Sequence, residues 1–76
     1  MQNEEGDFNY DRYARAIEDN LETLAAKNGV VMLRQIHLET SIPIDLLIEV
    51  LDKGMVEFPE RVNEIVDREE GKKWKR

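Results

Sequence analysis

The chain contains no cysteine, which excludes disulfides, thiolate metal sites and thiol nucleophiles together. It has one His, and a lone imidazole without thiolates does not make a typical zinc site. His37 therefore reads as an ordinary hydrogen-bonded side chain or a phosphate contact. No apolar run is long enough to span a bilayer. The opening "MQNEEGDFNY" lacks the basic and apolar stretches of a secretion signal, so a cytoplasmic location is expected. No Ser/His/Asp, metal-ligand or phosphate-loop arrangement is present. The neighbouring acids Glu18-Asp19 and Glu69-Glu70 read as solvated faces. A protein that is not an enzyme and needs no cofactor is expected, with no membrane or small-molecule partner.

At 76 residues the chain is one domain that buries only about 60–65% of the surface its unfolded form exposes, so its core is small. The formal net charge is -6, and the charge is uneven. Residues 1–59 carry five Lys/Arg against twelve Asp/Glu, whereas residues 60–76 carry six against five. Four of the eleven basic side chains and the sole Trp fall in the closing "KKWKR", Lys72 to Arg76. Overall acidity argues against non-specific coating of nucleic acid, which is driven by phosphate neutralisation. A local basic element stays possible, and KKWKR is either a solubilising tail or a strand that meets something negative.

Residues 1–8 are acidic and expected to be disordered, with the domain running over 9–76. Tyr10, Tyr13, Ile17, Leu21 and Leu24 recur at steps of three and four, the stripe of an amphipathic helix; both Tyr fit core or dimer contacts. Asn28-Gly29 is expected to stop this helix, with Gly29 in the left-handed position. "GVVML" reads as a short strand or an extended bridge. "LRQIHLET" predicts a second helix with Leu33, Ile36 and Thr40 on one side and Arg34, His37 and Gln35 on the other. "SIP" interrupts it, since Pro43 disfavours helix at Ile42 yet suits a new helix start. "IDLLIEVLDKG" then predicts a third helix with Leu47, Val50 and Leu51 facing inward and Gly54 closing it.

Beyond Gly54, "MVEF" reads as a strand broken at Pro59. "PERVNEIVDREEG" fits two readings, a helix started by Pro59 or a hairpin with "REEG" as its loop. In the hairpin Asp67 opposes Lys72, Ile65 opposes Trp74 and Glu64 opposes Lys75, and such pairs each contribute about 0.2–1 kcal/mol. The β-branched content and the need to pack Trp74 favour the hairpin.

From about residue 11 onward, the stretch "LRQIHLETSIPIDLLIEVLDKGMVEF" resembles the winged helix-turn-helix family. The likeness rests on its Leu-x-x-Ile second helix, its Ile-Pro turn, Leu47 and Leu51 in the third helix, and the Lys-Gly-Met-Val entry to a wing. In size and acidity it is most similar to small transcription regulators encoded by archaeal viruses and plasmids. The resemblance implies an α+β fold of three helices, a short strand and a C-terminal β-hairpin wing. It also implies duplex DNA as partner; because so small a module buries little surface on DNA, two protomers per DNA site are expected. Base readout would fall to Ser41, Pro43, Ile44, Asp45, Ile48 and Glu49. Backbone contacts would fall to Arg34, Gln35, His37, Arg68, Lys72, Lys73, Lys75 and Arg76, with Trp74 and Ile65 packing the wing. The third helix departs from the pattern in offering no Arg or Lys to the groove, although Arg to guanine is the commonest specific contact. The competing reading is a winged-helix protein-interaction module, in which Asp45, Glu49 and Asp52 meet a basic partner and exposed Ile44 and Ile48 anchor it.

Overall fold

The computed structural model describes residues 9–76; the expected acidic N-terminal segment lies outside the described residues. Three helices and a three-stranded sheet make an α+β domain in the order α1 (Tyr10–Leu24), β1 (Val30–Met32), α2 (Leu33–Thr40), α3 (Ile44–Asp52), β2 (Glu64–Asp67) and β3 (Lys72–Lys75). The arrangement is compatible with a winged helix. Among the described residues no helix is long and apolar enough to cross a membrane.

The α1 helix starts where Asn9 accepts a side-chain hydrogen bond from the Arg12 amide, satisfying one of the amides left open at a helix start. Its inner stripe buries Ala14, Ile17 and Leu21. The helix stops at Leu24, short of the expected Asn28-Gly29 boundary, because Ala25 is already extended. Ala26 donates to Val30 O at 3.1 Å and Gly29 donates to Ala26 O at 2.9 Å, a turn that reverses the chain into β1. Gly29 has a φ of +81° and so takes the left-handed position in this turn rather than at the helix end.

The α2 helix follows β1 without a linker. Gln35 reaches back so that its Oε1 accepts from the Met32 amide at 3.1 Å, half of a capping box. The three-residue break before α3 is the expected Ser41–Pro43 turn, with Ser41 left-handed at φ 63°. It is held from α2: Thr40 Oγ1 donates to Ile36 O and accepts from the Ile42 amide, while His37 Nδ1 donates to Ile42 O at 2.7 Å. Leu47, Val50 and Leu51 are buried as the period requires.

The expected strand at Met55–Phe58 does not form. Its chain crosses α1 instead, where the Glu57 amide donates to Glu18 Oε2 at 2.8 Å. Met55, Val56 and Phe58 pack on the core from irregular backbone, so apolar β-forming side chains are buried there without a ladder. Residues 64–75 adopt the hairpin, not the helix, with Glu64, Ile65 and Asp67 opposite Lys75, Trp74 and Lys72.

The sheet order is β1-β2-β3, and β2 pairs with β1 in parallel through Val30–Glu64, Val31–Ile65 and Met32–Val66. Parallel neighbours need a crossover connection, supplied here by α2 and α3. One sheet face carries Val31 and Ile65, both fully buried with Ile17, Leu21, Ile36 and Leu47. Burying each such side chain contributes about 1.5–3 kcal/mol. Val30, Met32 and Val66 alternate to the outer face, with Lys73 and Lys75 on the same side of β3.

Candidate nucleic-acid interface

Side chains alternate across a strand, so Trp74 and Lys72 share the inward side of β3 while Lys73 and Lys75 are exposed. The indole Nε1 donates to Asp52 Oδ1 at 2.9 Å, and Lys72 Nζ lies 3.0 Å from Asp52 Oδ2. This ties β3 to the C-terminal end of α3, where a cation is also favoured by the helix dipole. Ile65 is buried and Trp74 packs against the core, while Lys73 and Lys75 on either side of Trp74 are exposed. Lys72 differs: its period places it on Trp74's side, and its ammonium is spent on Asp52. The expected charge pairs of the hairpin keep their register, but Lys72 turns to Asp52 and Asp67 to its own loop, and Glu64–Lys75 is not among the ion pairs of the described residues.

Asp52 binds these two donors with its carboxylate, and its pKa is lowered below 3.8, first by the Trp74 hydrogen bond and then by that of Lys72. A group whose pKa is depressed on folding contributes stability above its unfolded pKa and loses it as pH falls through the folded value. Asp52→Asn is thus expected to melt below the parent protein near neutral pH, with the gap closing only as the pH falls below the usual carboxylate range. Thermal melts followed by Trp emission check this, and a gap that persists in acid would show that the carboxylate charge is not what holds β3.

The residues expected on base edges are divided. Ser41, Pro43, Asp45 and Glu49 are exposed, whereas Ile44 and Ile48 are half-buried and packed on the core, not freely exposed. The Glu49 carboxylate receives the Tyr10 hydroxyl, and the Lys53 ammonium sits 4.7 Å from the centre of that Tyr ring. With Asp52 also engaged, Asp45 is the α3 carboxylate left without such a partner among the described residues.

The backbone-contact residues fall into two groups. Arg34, Gln35, His37 and Arg68 line a groove of about 510 Å³ between α2, the start of α3 and the hairpin loop, floored by Met32, Leu38, Ile44 and Val66. Arg34 stands 3.8 Å from Glu69 across its mouth. Gln35 and His37 also hold α2 and its turn, so each has one side-chain atom already committed. Lys73, Lys75 and Arg76 form the second group, exposed at the far end of β3. None of them takes part in the ion pairs of the described residues, which are Arg34–Glu69 and Lys72–Asp52.

Sequence reasoning missed four features. The Asp52 tie joins residues 20 or more apart and has no local signature. Leu38 is 72% exposed, which its place off the Leu33–Ile36 face could have shown. Phe58 lies with Trp74 along a second groove. Asp67 is buried beside the loop; its Oδ1 accepts from the Glu69 amide, while its Oδ2 is enclosed without a hydrogen-bond partner among the described residues. Among the described residues no three His, Asp or Glu side chains converge as metal ligands would. Compared with protein-family models, curated proteins and solved structures, the chain finds no match.

Proposed function

We propose that this protein is a sequence-specific duplex-DNA-binding regulator of transcription, with α3 in the major groove and the β2–β3 hairpin as a wing on the phosphate backbone. The observation that carries the reading is the shared groove. Arg34, Gln35 and His37 of α2 and Arg68 of the distant hairpin loop meet Ile44 at the start of α3 on one surface. A helix of nine residues is about 13–14 Å long, enough to lie across several base pairs in a groove about 12 Å wide. Phosphate contacts fix register, and base edges supply specificity.

Acid on the reading helix is less of an obstacle than its composition implies. Glu49 and Asp52 are occupied by Tyr10, Trp74 and Lys72, which leaves Asp45 and Ser41 as polar side chains without a partner among the described residues. Asp accepts from cytosine N4, Ser suits several bases, and the half-buried Ile44 and Ile48 suit thymine methyls. A module this small reaches high specificity most readily as two protomers on adjacent or inverted half-sites. The protein-interaction reading draws less support, since two of its three acids have internal partners and both Ile anchors are packed.

The test is selection of short duplexes from a random pool, followed by gel mobility at about 50 and 200 mM salt. Expected is a complex of two protomers per duplex whose affinity falls with salt at a log–log slope of about -0.9 per phosphate contact. Absence of any retarded complex at the lower salt after selection would overturn the reading.

A further inference from the structure

A second groove, of about 610 Å³, runs between the irregular segment after α3 and β3. Phe58, Trp74, Lys73, Lys75, Arg76 and Glu57 line it. We propose that it is a binding site for unpaired, single-stranded nucleic acid, with a base on the Phe58 and Trp74 rings and phosphates on Lys73, Lys75 and Arg76. The proposal goes beyond duplex recognition and does not require it, because the bases of a duplex are stacked inside and cannot reach an aromatic ring.

Three observations support it. First, the groove combines a positive border with aromatic rings, the pairing by which proteins hold single strands: cations follow the backbone, and rings stack bases whatever their sequence. Its volume lies within the roughly 300–1,000 Å³ of small-ligand sites. Second, its three cations have no ion pair among the described residues, although the chain carries a net charge of -6. Glu57 is the single carboxylate of the lining, and Glu64, opposite Lys75 in the ladder, makes no ion pair with it among the described residues. An anion therefore meets cations that are not already neutralised. Third, Trp74 is held in advance. Its N–H is fixed by Asp52 at 2.9 Å, and Lys72 Nζ lies 5.5 Å from its ring centre. A ring immobilised before binding loses little freedom on stacking. The groove also follows β3, the last strand of the sheet order, so no neighbouring strand closes it.

Because Trp74 is the sole indole, its emission reports this groove directly. The intact protein is titrated with a short oligothymidylate, with an abasic strand of equal phosphate number, with an acidic peptide of equal charge, and with a selected duplex. Expected is saturable quenching by oligothymidylate, with a salt slope of about -0.7 per phosphate contact. The abasic strand should bind about 5- to 150-fold more weakly, the loss of one stacked base. Phe58→Leu, which keeps an apolar side chain against the core, should weaken the base-bearing strand by a similar factor and leave duplex affinity unchanged. Equal binding of base-bearing and abasic strands, indifference to Phe58→Leu, or equal competition by the acidic peptide would each overturn the proposal. Single-strand binding without duplex binding would leave it standing while removing the duplex reading, and the reverse result would do the opposite.

Discussion

Gly29→Ala is expected to lower the melting temperature by about 10–30 °C, at about 4–8 °C per kcal/mol for a domain of this size. The backbone at Gly29 has φ +81°, and a Cβ placed there would lie 2.5 Å from Asn63 Nδ2, 2.9 Å from its Cγ and 3.0 Å from the Arg61 carbonyl oxygen. The left-handed conformation alone costs an L-residue about 1–2 kcal/mol. Relieving the contact means moving Asn63, whose Nδ2 donates to Asn28 O at 3.2 Å and whose amide donates to Gly29 O at 2.7 Å. Those bonds set the start of the β1–β2 pairing. Gly54→Ala is the control, because it shares a positive φ of +71° but a Cβ there meets nothing within 4 Å. It should show only the conformational part, about 5–15 °C. Equal losses in the two variants would mean that Asn63 swings aside at no cost and that the close approach is not what Gly29 serves.

Reversing Lys73 and Lys75 together to Glu is expected to weaken duplex binding by about 100-fold or more and to reduce the salt slope by about one unit per lost phosphate contact. Lys72→Gln should behave differently. Its ammonium is paired with Asp52, so the salt slope should stay nearly constant while Trp74 emission shifts and stability falls. The two outcomes separate side chains that are adjacent in sequence and on opposite faces of one strand. Gel mobility across a salt series, with thermal melts of each variant, reads both effects. Matching slope changes for Lys72→Gln and Lys73→Gln would overturn this division.

What could be read from the residues follows a physical divide. The second and third helices, the Ser41–Pro43 turn and the hairpin register are governed by neighbours close in sequence, through the 3.6 period, Pro43, and cross-strand partners around a four-residue loop. The parallel β1–β2 pair is not: three residues at Val30–Met32 carry no signal of a partner at Glu64–Val66. The same gap explains Met55–Phe58, whose β-branched and aromatic content suggested a strand. Propensity reflects fit to a half-buried surface, and that segment found its burial against α1 and the core without reaching a sheet edge. At the site, the basic residues could be named from composition. Which of them remain free could not, because Lys72 is withdrawn by Asp52 and Arg34 faces Glu69 through contacts between distant elements.

The central place of β2 has a consequence for cooperativity. A hairpin appended to a helical body could detach and reattach while the body stayed folded. Here β2 lies between β1 and β3, and Ile65 is wholly enclosed with residues of all three helices. Lifting the hairpin would strip β1 of its ladder and open the core at the same moment. Subglobal opening of this kind costs nearly as much as unfolding the whole domain. The hairpin as a whole therefore cannot be shed as an independent unit while the domain stays folded.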